Sequence, residues 1–498
     1  MCRKTSAAKD RRNCGLHEDI RHSRKAVQRK SRQTEHRTGG LFKAAIIRHI
    51  YGIPSLRRTA EEICLNIVYR WFLGYSLTEK TPHFSTFSYN FSHRFTEEVV
   101  QQIFNWILNE INDAGYLSPE AVFIDGTHIK ASASMKKAIR RAVPEASKIY
   151  SEQLLNEINE DREAHGKKPF DGGNPPKEKV ITESKTDPEC GVFHKGEHKK
   201  CFAYAAQTAC DKNRYILDVT VNSGNVHDSV AFDGLYERLK KRFAMRFVVA
   251  DAGYRSPWIC KRVIDDGLIP VLPYKRPMSK DGFFRPYEYI YDEYFNFVLC
   301  SENHVLSYST TNRDGCREFK SKPYICENCP FRGKCTANSS CIKTVLKHLW
   351  NGYLELAEDY RHTPEIRKLY DRRKETIERV FADTKEKHSM RFTYFRGLAR
   401  ITNWVRLKFA AMNLKKYVLH RWLYCFFCVS CLFFGFRFSR CLLFKKPSFF
   451  FYERWFFRQT VLGLLKNSPS IFVYRKPPAM PGVQKSFSDE QIKFLQLV

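Results

Sequence analysis

From residue 41 onward, apolar residues recur at helical spacing. "LFKAAIIRHIYG" predicts an amphipathic helix ending at Gly52. "IPSLRRTAEEICLNIVYRWFLGY" predicts a second helix, starting near Pro54-Ser55 and stopping at Gly74. "FTEEVVQQIFNWILNEINDAG" predicts a third. Thr96 is its N-cap, Glu97 and Glu98 suit the positive end of its dipole, and Val99, Ile103, Phe104, Ile107, Leu108 and Ile111 share one face. Residues 41–118 therefore read as an all-helical domain.

The period then changes. In "AVFIDGTHIK" the apolar run Val122–Ile124 stops at Asp125-Gly126, as though a buried strand ended on a carboxylate. "KCFAYAAQTACDKNRYILDVTVNSG" reads as a hairpin turned at Asp211-Lys212-Asn213. A helix in "LYERLKKRF" follows, then the strand "RFVVAD", which again stops on an acid, Asp251. The helix "SPWICKRVIDDG" and the strand "LIPVLP" complete the order expected of a mixed α/β sheet with flanking helices. Residues 277–350 interrupt it with aromatic pieces and a cysteine cluster. Beyond them, "TPEIRKLYDRRKETIERVFADTKEKH" predicts one long helix, with Thr363 as cap and Pro364 at the first position. Ile366, Leu369, Tyr370, Ile377, Val380, Phe381 and Thr384 make its buried face. "LARITNWVRLKFAAMNLKKYVL" predicts another helix.

Residues 1–40 lack any such period and read as a disordered basic arm. Residues 421–498 form a Phe-rich tail that fits no element. Its apolar stretch Leu423–Phe436 is shorter than the ~20 residues a membrane span needs, so no membrane role is expected.

Charge sharpens this picture. Lys plus Arg number 84 against 53 Asp plus Glu, a formal charge of +31. Such an excess points to a polyanionic partner, foremost nucleic acid, with a ribosome-associated or membrane-surface role as the plainer reading. The N-terminus has no apolar signal region, so a cytoplasmic protein is expected, one associated with the nucleoid when on DNA. In that compartment the 17 cysteines serve packing or metal ligation rather than disulfides.

Against that charge, two acids at strand ends of one sheet stand out. One such Asp is ordinarily a turn or helix cap. Two in one sheet suit phosphodiester chemistry, which holds divalent ions within about 4 Å of each other between hard carboxylate oxygens. A third acid should come from a rigid element. Glu378, beside Ile377 and Phe381, is expected to face the sheet, and Glu375 is its rival by spacing. Lys385, two turns further along the helix, would hold a phosphate.

"FIDGTHIKA", "VVADAGYRS" and "ETIERVFADTKEKHSMRFTYFRGL" resemble the three catalytic segments of bacterial insertion-sequence transposases of the DDE class. The resemblance covers most of residues 41–420, including "YGIPSLRRTAEEI", "WFLGYSL" and "GVFHKGEHKKCFAYAAQTACD". It implies a ribonuclease-H-like catalytic domain over residues 119–420, with residues 277–350 inserted, and a DNA-binding role for the helical domain. The family's triad falls on Asp125, Asp251 and Glu378, and its lysine on Lys385. In many relatives a Tyr and an Arg precede the glutamate by seven and four residues. Asp371 and Lys374 hold those places here, and Tyr370 and Arg373 stand one residue earlier. The implied chemistry uses two Mg²⁺ ions, with Mn²⁺ as substitute, to cut at terminal inverted repeats and join the ends to target DNA. The implied assembly is a homo-oligomer on DNA. A non-catalytic DNA-binding protein derived from such an element, and a ribonuclease-H-like nuclease without strand transfer, share the same residues. Both ends depart from the resemblance, as they would if translated from altered reading frames in a decayed copy.

Further sites are weaker. "CENCPFRGKC" places Cys326, Cys329 and Cys335 at a spacing that suits tetrahedral zinc, with Cys300 as fourth ligand and Cys341 as rival. Free cysteines in a basic loop are the other reading. His227 and Asp228 follow the hairpin and suit either a role near the acids or a loop cap. Lys130, His194, Lys195, Arg391 and Arg396, with the turn at Gly397, are expected to meet phosphates, setting affinity rather than sequence choice.

Overall fold

The computed structural model describes residues 40–144, 150–172, 178–195, 199–276, 281–336 and 338–434. Nearly all of the basic arm and most of the Phe-rich tail lie outside them. The described chain forms two compact units. One comprises residues 40–114, 385–390 and 403–434, and the other residues 115–384 and 391–402.

The first unit is helical. Helix α1 spans residues 40–50, followed by α2 Leu56–Leu65, α3 Ile67–Leu73, α4 Phe84–Arg94 and α5 Glu97–Asp113. The single helix expected over α2 and α3 is two. Asn66 breaks it, because its side-chain oxygen accepts from the Val68 and Tyr69 amides and starts a new helix. Gly74, in the left-handed region, ends α3. Helix α5 follows the sequence closely. Thr96 caps it, and Val100 rather than Val99 joins Ile103, Phe104, Ile107, Leu108 and Ile111 in the buried face.

The second unit holds the sheets. Its elements are β1 Ala121–Lys130, β2 Ala138–Pro144, α6 Ser151–Ala164, β3 Glu178–Ser184, β4 Gly191–Lys195, β5 Lys199–Cys210, β6 Ile216–Ser223, α7 Asp228–Arg242, β7 Phe247–Val249, α8 Pro257–Asp265 and β8 Ile269–Val271. The main sheet runs β5-β1-β7-β8, with β4 and β6 both pairing with β5. Strand β1 is antiparallel to β5 and parallel to β7, and β7 is parallel to β8. The two parallel joins need crossovers, and α7 and α8 lead into β7 and β8. The β5–β6 turn is held by buried Asp211, which accepts from the Tyr215 and Ser118 amides.

Strand β1 does not stop at Asp125. It continues to Lys130, because β5 offers partners along its whole length, from Cys210 opposite Phe123 to Ala203 opposite Lys130. Gly126 is therefore not a turn. It is an extended strand residue opposite Gln207.

The insertion folds as its own antiparallel meander: β9 Ile290–Asp292, β10 Phe297–Leu299, β11 Val305–Thr311, β12 Cys316–Lys320 and β13 Thr344–His348. Short helices α9 Pro323–Glu327 and α10 Arg332–Cys335 lie between β12 and β13. Asp161 on α6 anchors this sheet. It accepts from the Arg317 guanidinium at 2.9 and 2.5 Å and from the Thr311 hydroxyl at 2.5 Å. Helices α11 Asn351–His362, α12 Pro364–Asp371, α13 Ile377–Lys387 and α14 Leu398–Phe434 complete the chain. The long helix expected across α12 and α13 is broken by a 3₁₀ turn, Arg372–Glu375, and by Thr376, whose ψ of −97° is not helical. No helix among the described residues is long and apolar enough to cross a membrane.

The helical unit buries cations. Lys408 of α14 is 2% exposed and donates to the His388 carbonyl. Arg48 and His49 are buried with it, and His388 donates or accepts at the His49 carbonyl at 2.8 Å. Burial, with the Arg48 charge adding to it, pulls the Lys408 ammonium down from 10.5 to about 7. The penalty for charging it is present in full below pH 7 and fades as pH rises toward 10.5, so this lysine makes stability rise across that window. Lys408→Met is expected to raise unfolding stability by about 1–3 kcal/mol at pH 7 and to flatten the rise toward pH 10.5, as thermal melts of the full chain would show.

Candidate active site

Parallel pairing sets the centre of the site. Phe123 of β1 lies opposite Val249 of β7. Asp125 and Asp251 each follow two residues later, so both carboxylates leave neighbouring strands at the same level. The Asp251 side chain accepts from the Gly253 amide at 2.8 Å and caps the 3₁₀ turn Ala252–Tyr254. Asp125 accepts from the Gly126 amide at 2.7 Å.

Asp125 also meets Arg373, whose Nη2 lies 2.6 Å from its Oδ2. Burial raises the Asp125 carboxyl to about 6; Arg373 opposes the rise and Asp251 adds to it. Arg373 comes from the 3₁₀ turn before α13 and is 8% exposed. Its Nη1 lies 3.5 Å from the Tyr370 hydroxyl. Fixed spacing would select Asp371 and Lys374. Tyr370 and Arg373 are nonetheless the residues turned toward Asp125.

Glu378 stands in the first turn of α13 and is exposed, rather than turned inward with its buried neighbours Ile377 and Phe381. The break at Thr376 restarts the helix, so the face extrapolated from α12 no longer applies. Glu375, its rival, is exposed as well. Lys385 is partly buried two turns along α13.

Asp228 was legible only as a residue after a hairpin. It occupies the first turn of α7, and its carboxylate accepts from buried Gln207, which in turn accepts from the hydroxyl of buried Tyr254. His227 is the N-cap of the same helix, accepting from the Ser229 amide at 3.2 Å, and is exposed. Its cap reading therefore holds.

The expected phosphate contacts divide. Lys130 and Arg391 are exposed and joined through backbone, since the Lys130 amide donates to the Arg391 carbonyl at 3.1 Å. Arg396 donates to the Ser132 carbonyl at 3.2 Å. These three gather beyond the end of β1. His194 is exposed on β4 opposite Lys200, and Lys195 pairs with Lys199. The turn at Gly397 is not open to phosphate. Its amide and that of Leu398 donate to Asp187 at 3.2 Å and Glu189 at 2.6 Å.

Carboxylate oxygens at Asp125 and Asp251 are the donor type that magnesium takes, and their desolvation and mutual repulsion favour a cation. Among the described residues, however, no three His, Cys, Asp or Glu side chains are arranged to hold a metal ion. The cysteine cluster is likewise not closed. Cys335 is buried with Tyr289, Val298, Leu306 and Phe319, and Cys300 packs against them. Burial raises the Cys335 thiol, and the nearby Cys326 and Cys300 raise it further. Cys326 donates to the Ser321 hydroxyl, and Cys341 to the Ser339 carbonyl.

Comparison with known proteins supplies the class. Residues 299–418 match the family described as Transposase DDE domain, and residues 16–93 match Transposase domain (DUF772). The chain is thus a relative of DDE-class transposases. The first match takes in Glu378, Lys385 and most of the insertion but stops short of Asp125 and Asp251. The second begins inside the stretch read as a patternless arm, and a shifted reading frame would have erased it from residue 16 on. No curated protein matches the chain. Among solved structures, a piggyBac transposase synaptic complex with hairpin DNA is similar at 10% identity and a TM-score of 0.34, over 92% of this chain and 80% of that one. That score is too low to carry an argument.

Asp125 also titrates in a way that can be measured. With its pKa raised from 3.8 to about 6, its penalty is absent below pH 4, grows as pH rises to 6 and is then constant. In metal-free buffer, Asp125→Asn is expected to be more stable than wild type by roughly 1–3 kcal/mol at pH 8, the difference closing toward pH 4 in thermal melts.

Proposed function

We propose that this protein is a DNA transposase that cuts at the terminal inverted repeats of an insertion sequence and joins the ends to target DNA. The observation that carries the reading is the level pairing of Asp125 and Asp251 on adjacent parallel strands, in a chain whose Glu378 segment matches a DDE domain. The strand order, with the long antiparallel hairpin beside β1 and two parallel strands on its other edge, supports a ribonuclease-H-like core. Asp125, Asp251 and Glu378 would hold two magnesium ions, manganese standing in, whose chemistry is activation of water and then of a DNA 3′-hydroxyl. Exposed Glu378 would have to turn inward, and Arg373 would give up its hold on Asp125 or share it with substrate phosphate. Lys385, Lys130, Arg391, Arg396, His194 and Lys195 would supply phosphate contacts. The helical unit would bind the repeats, with the protein acting as a homo-oligomer on DNA at the nucleoid. Cys300, Cys326, Cys329 and Cys335 would take a structural zinc once deprotonated.

The test is a strand-transfer assay with terminal-repeat DNA and Mg²⁺, read on gels. Wild type is expected to give cleaved and joined products. Asp125→Ala, Asp251→Ala and Glu378→Gln are each expected to lose them by a factor of about 10³ or more while still binding DNA. Binding without any cleavage by wild type would favour the decayed, non-catalytic reading, and cleavage without joining a nuclease.

A further inference from the structure

The space around the two strand-end acids contains a third carboxylate that the triad does not use. Asp228 crowds both glycines of the site. A side chain at Gly126 would put its Cβ 2.9 Å from Asp228 Oδ1 and 2.8 Å from Gln207 Nε2. A Cβ at Gly253 would lie 3.7 Å from Asp228 Oδ2 and 3.0 Å from Asp251 Oδ1. Gly126 follows Asp125 directly, and Gly253 is two residues from Asp251. The absence of side chains at both positions is what admits the Asp228 carboxylate.

Its orientation is set from behind. Gln207 is fully buried on β5 and spends its amide nitrogen on Asp228 and its oxygen on the Tyr254 hydroxyl. Tyr254 is itself fully buried, and its hydroxyl is pushed well up, first by burial and then by the charges of Asp228, Asp125 and Asp251. Arg373 is the one cation that offsets them there. Three carboxylates against one guanidinium leave two negative charges unmatched in a desolvated space, the deficit one divalent ion fills. A separate sign points to a ligand. The Arg373 Nε, beside Asp125, is buried with no hydrogen-bond partner.

We propose that Asp228 is a further cation ligand of this site, reaching it from the first turn of α7. The proposal rests on the metal-dependent reading of Asp125 and Asp251. The carboxylates do not yet close on one point, and a cation drawing them together is what their unmatched charge favours. Asp228 enters on a rigid helix end fixed by Gln207, whereas Glu378 starts exposed, so Asp228 would hold an ion before Glu378 engages.

Mn²⁺ binding to the full chain without DNA, followed by electron paramagnetic resonance, tests this without any turnover. Asp228→Asn is expected to weaken Mn²⁺ by about tenfold or more, with the circular dichroism spectrum unchanged. Glu378→Gln is expected to weaken it less. Asp228→Ser, which keeps a helix-starting oxygen, should behave like Asn and serves if Asn fails to fold. A purely structural Asp228 would lower the melting temperature and leave Mn²⁺ affinity alone, and wild-type affinity in a folded Asp228 variant would overturn the proposal. If Asp125→Asn still loses Mn²⁺ in that case, the reading of the site survives. If Asp125→Asn and Asp251→Asn both bind as wild type, that reading falls with it.

Discussion

Two like charges side by side in the middle of a sheet are the constraint around which the second unit is arranged. Parallel pairing of β1 and β7 places Asp125 and Asp251 together, where neither can be well hydrated. Their ionised forms must be compensated from the elements packed around them. Arg373 comes in from the 3₁₀ turn before α13, and backbone amides of Gly126 and Gly253 supply the rest. Small residues next to each acid leave room for that, and for Asp228 and Gln207 behind them. A fold stabilised only by burial would not place acids here. The strain of keeping them is borne by the long β1–β5 ladder and by buried aromatics such as Tyr204, Tyr236 and Tyr254.

Much of this frame was legible in the sequence because each signal was local. The Thr96 cap, the Asp211 turn and the Ser256-Pro257 start of α8 are one-residue chemistries that leave little choice of conformation. What misled was extrapolation. A strand was ended at Asp125 because the residues there are polar, yet a backbone with ladder partners on β5 continues regardless of its side chains. Helices were run through Asn66 and Thr376 because apolar spacing persisted across both. Periodicity reports which residues would share a face if the helix were unbroken, and it is silent on whether it is. The inward turn expected of Glu378 failed for that reason.

The acids themselves could be found by pattern and by resemblance. Their surroundings could not. Gln207 and Tyr254 sit in apolar runs where nothing marks them as polar partners, and Asp228 looks like any first-turn acid. The helical unit hid a comparable feature. Arg48 and Lys408 lie among apolar neighbours on helices far apart in the chain, and only packing shows that they share one interior with His49 and His388.

The turn from Arg372 to Thr376 has a consequence for how such chains are recognised. Three residues per turn in a 3₁₀ segment, followed by a non-helical residue, uncouple the angle of Arg373 from that of Glu378. A signature written with rigid gaps presumes one uninterrupted cylinder and scores this chain as a mismatch. The guanidinium nevertheless arrives at Asp125. Spatial patterns built on which groups meet, with elastic gaps between them, would retain members that linear ones discard.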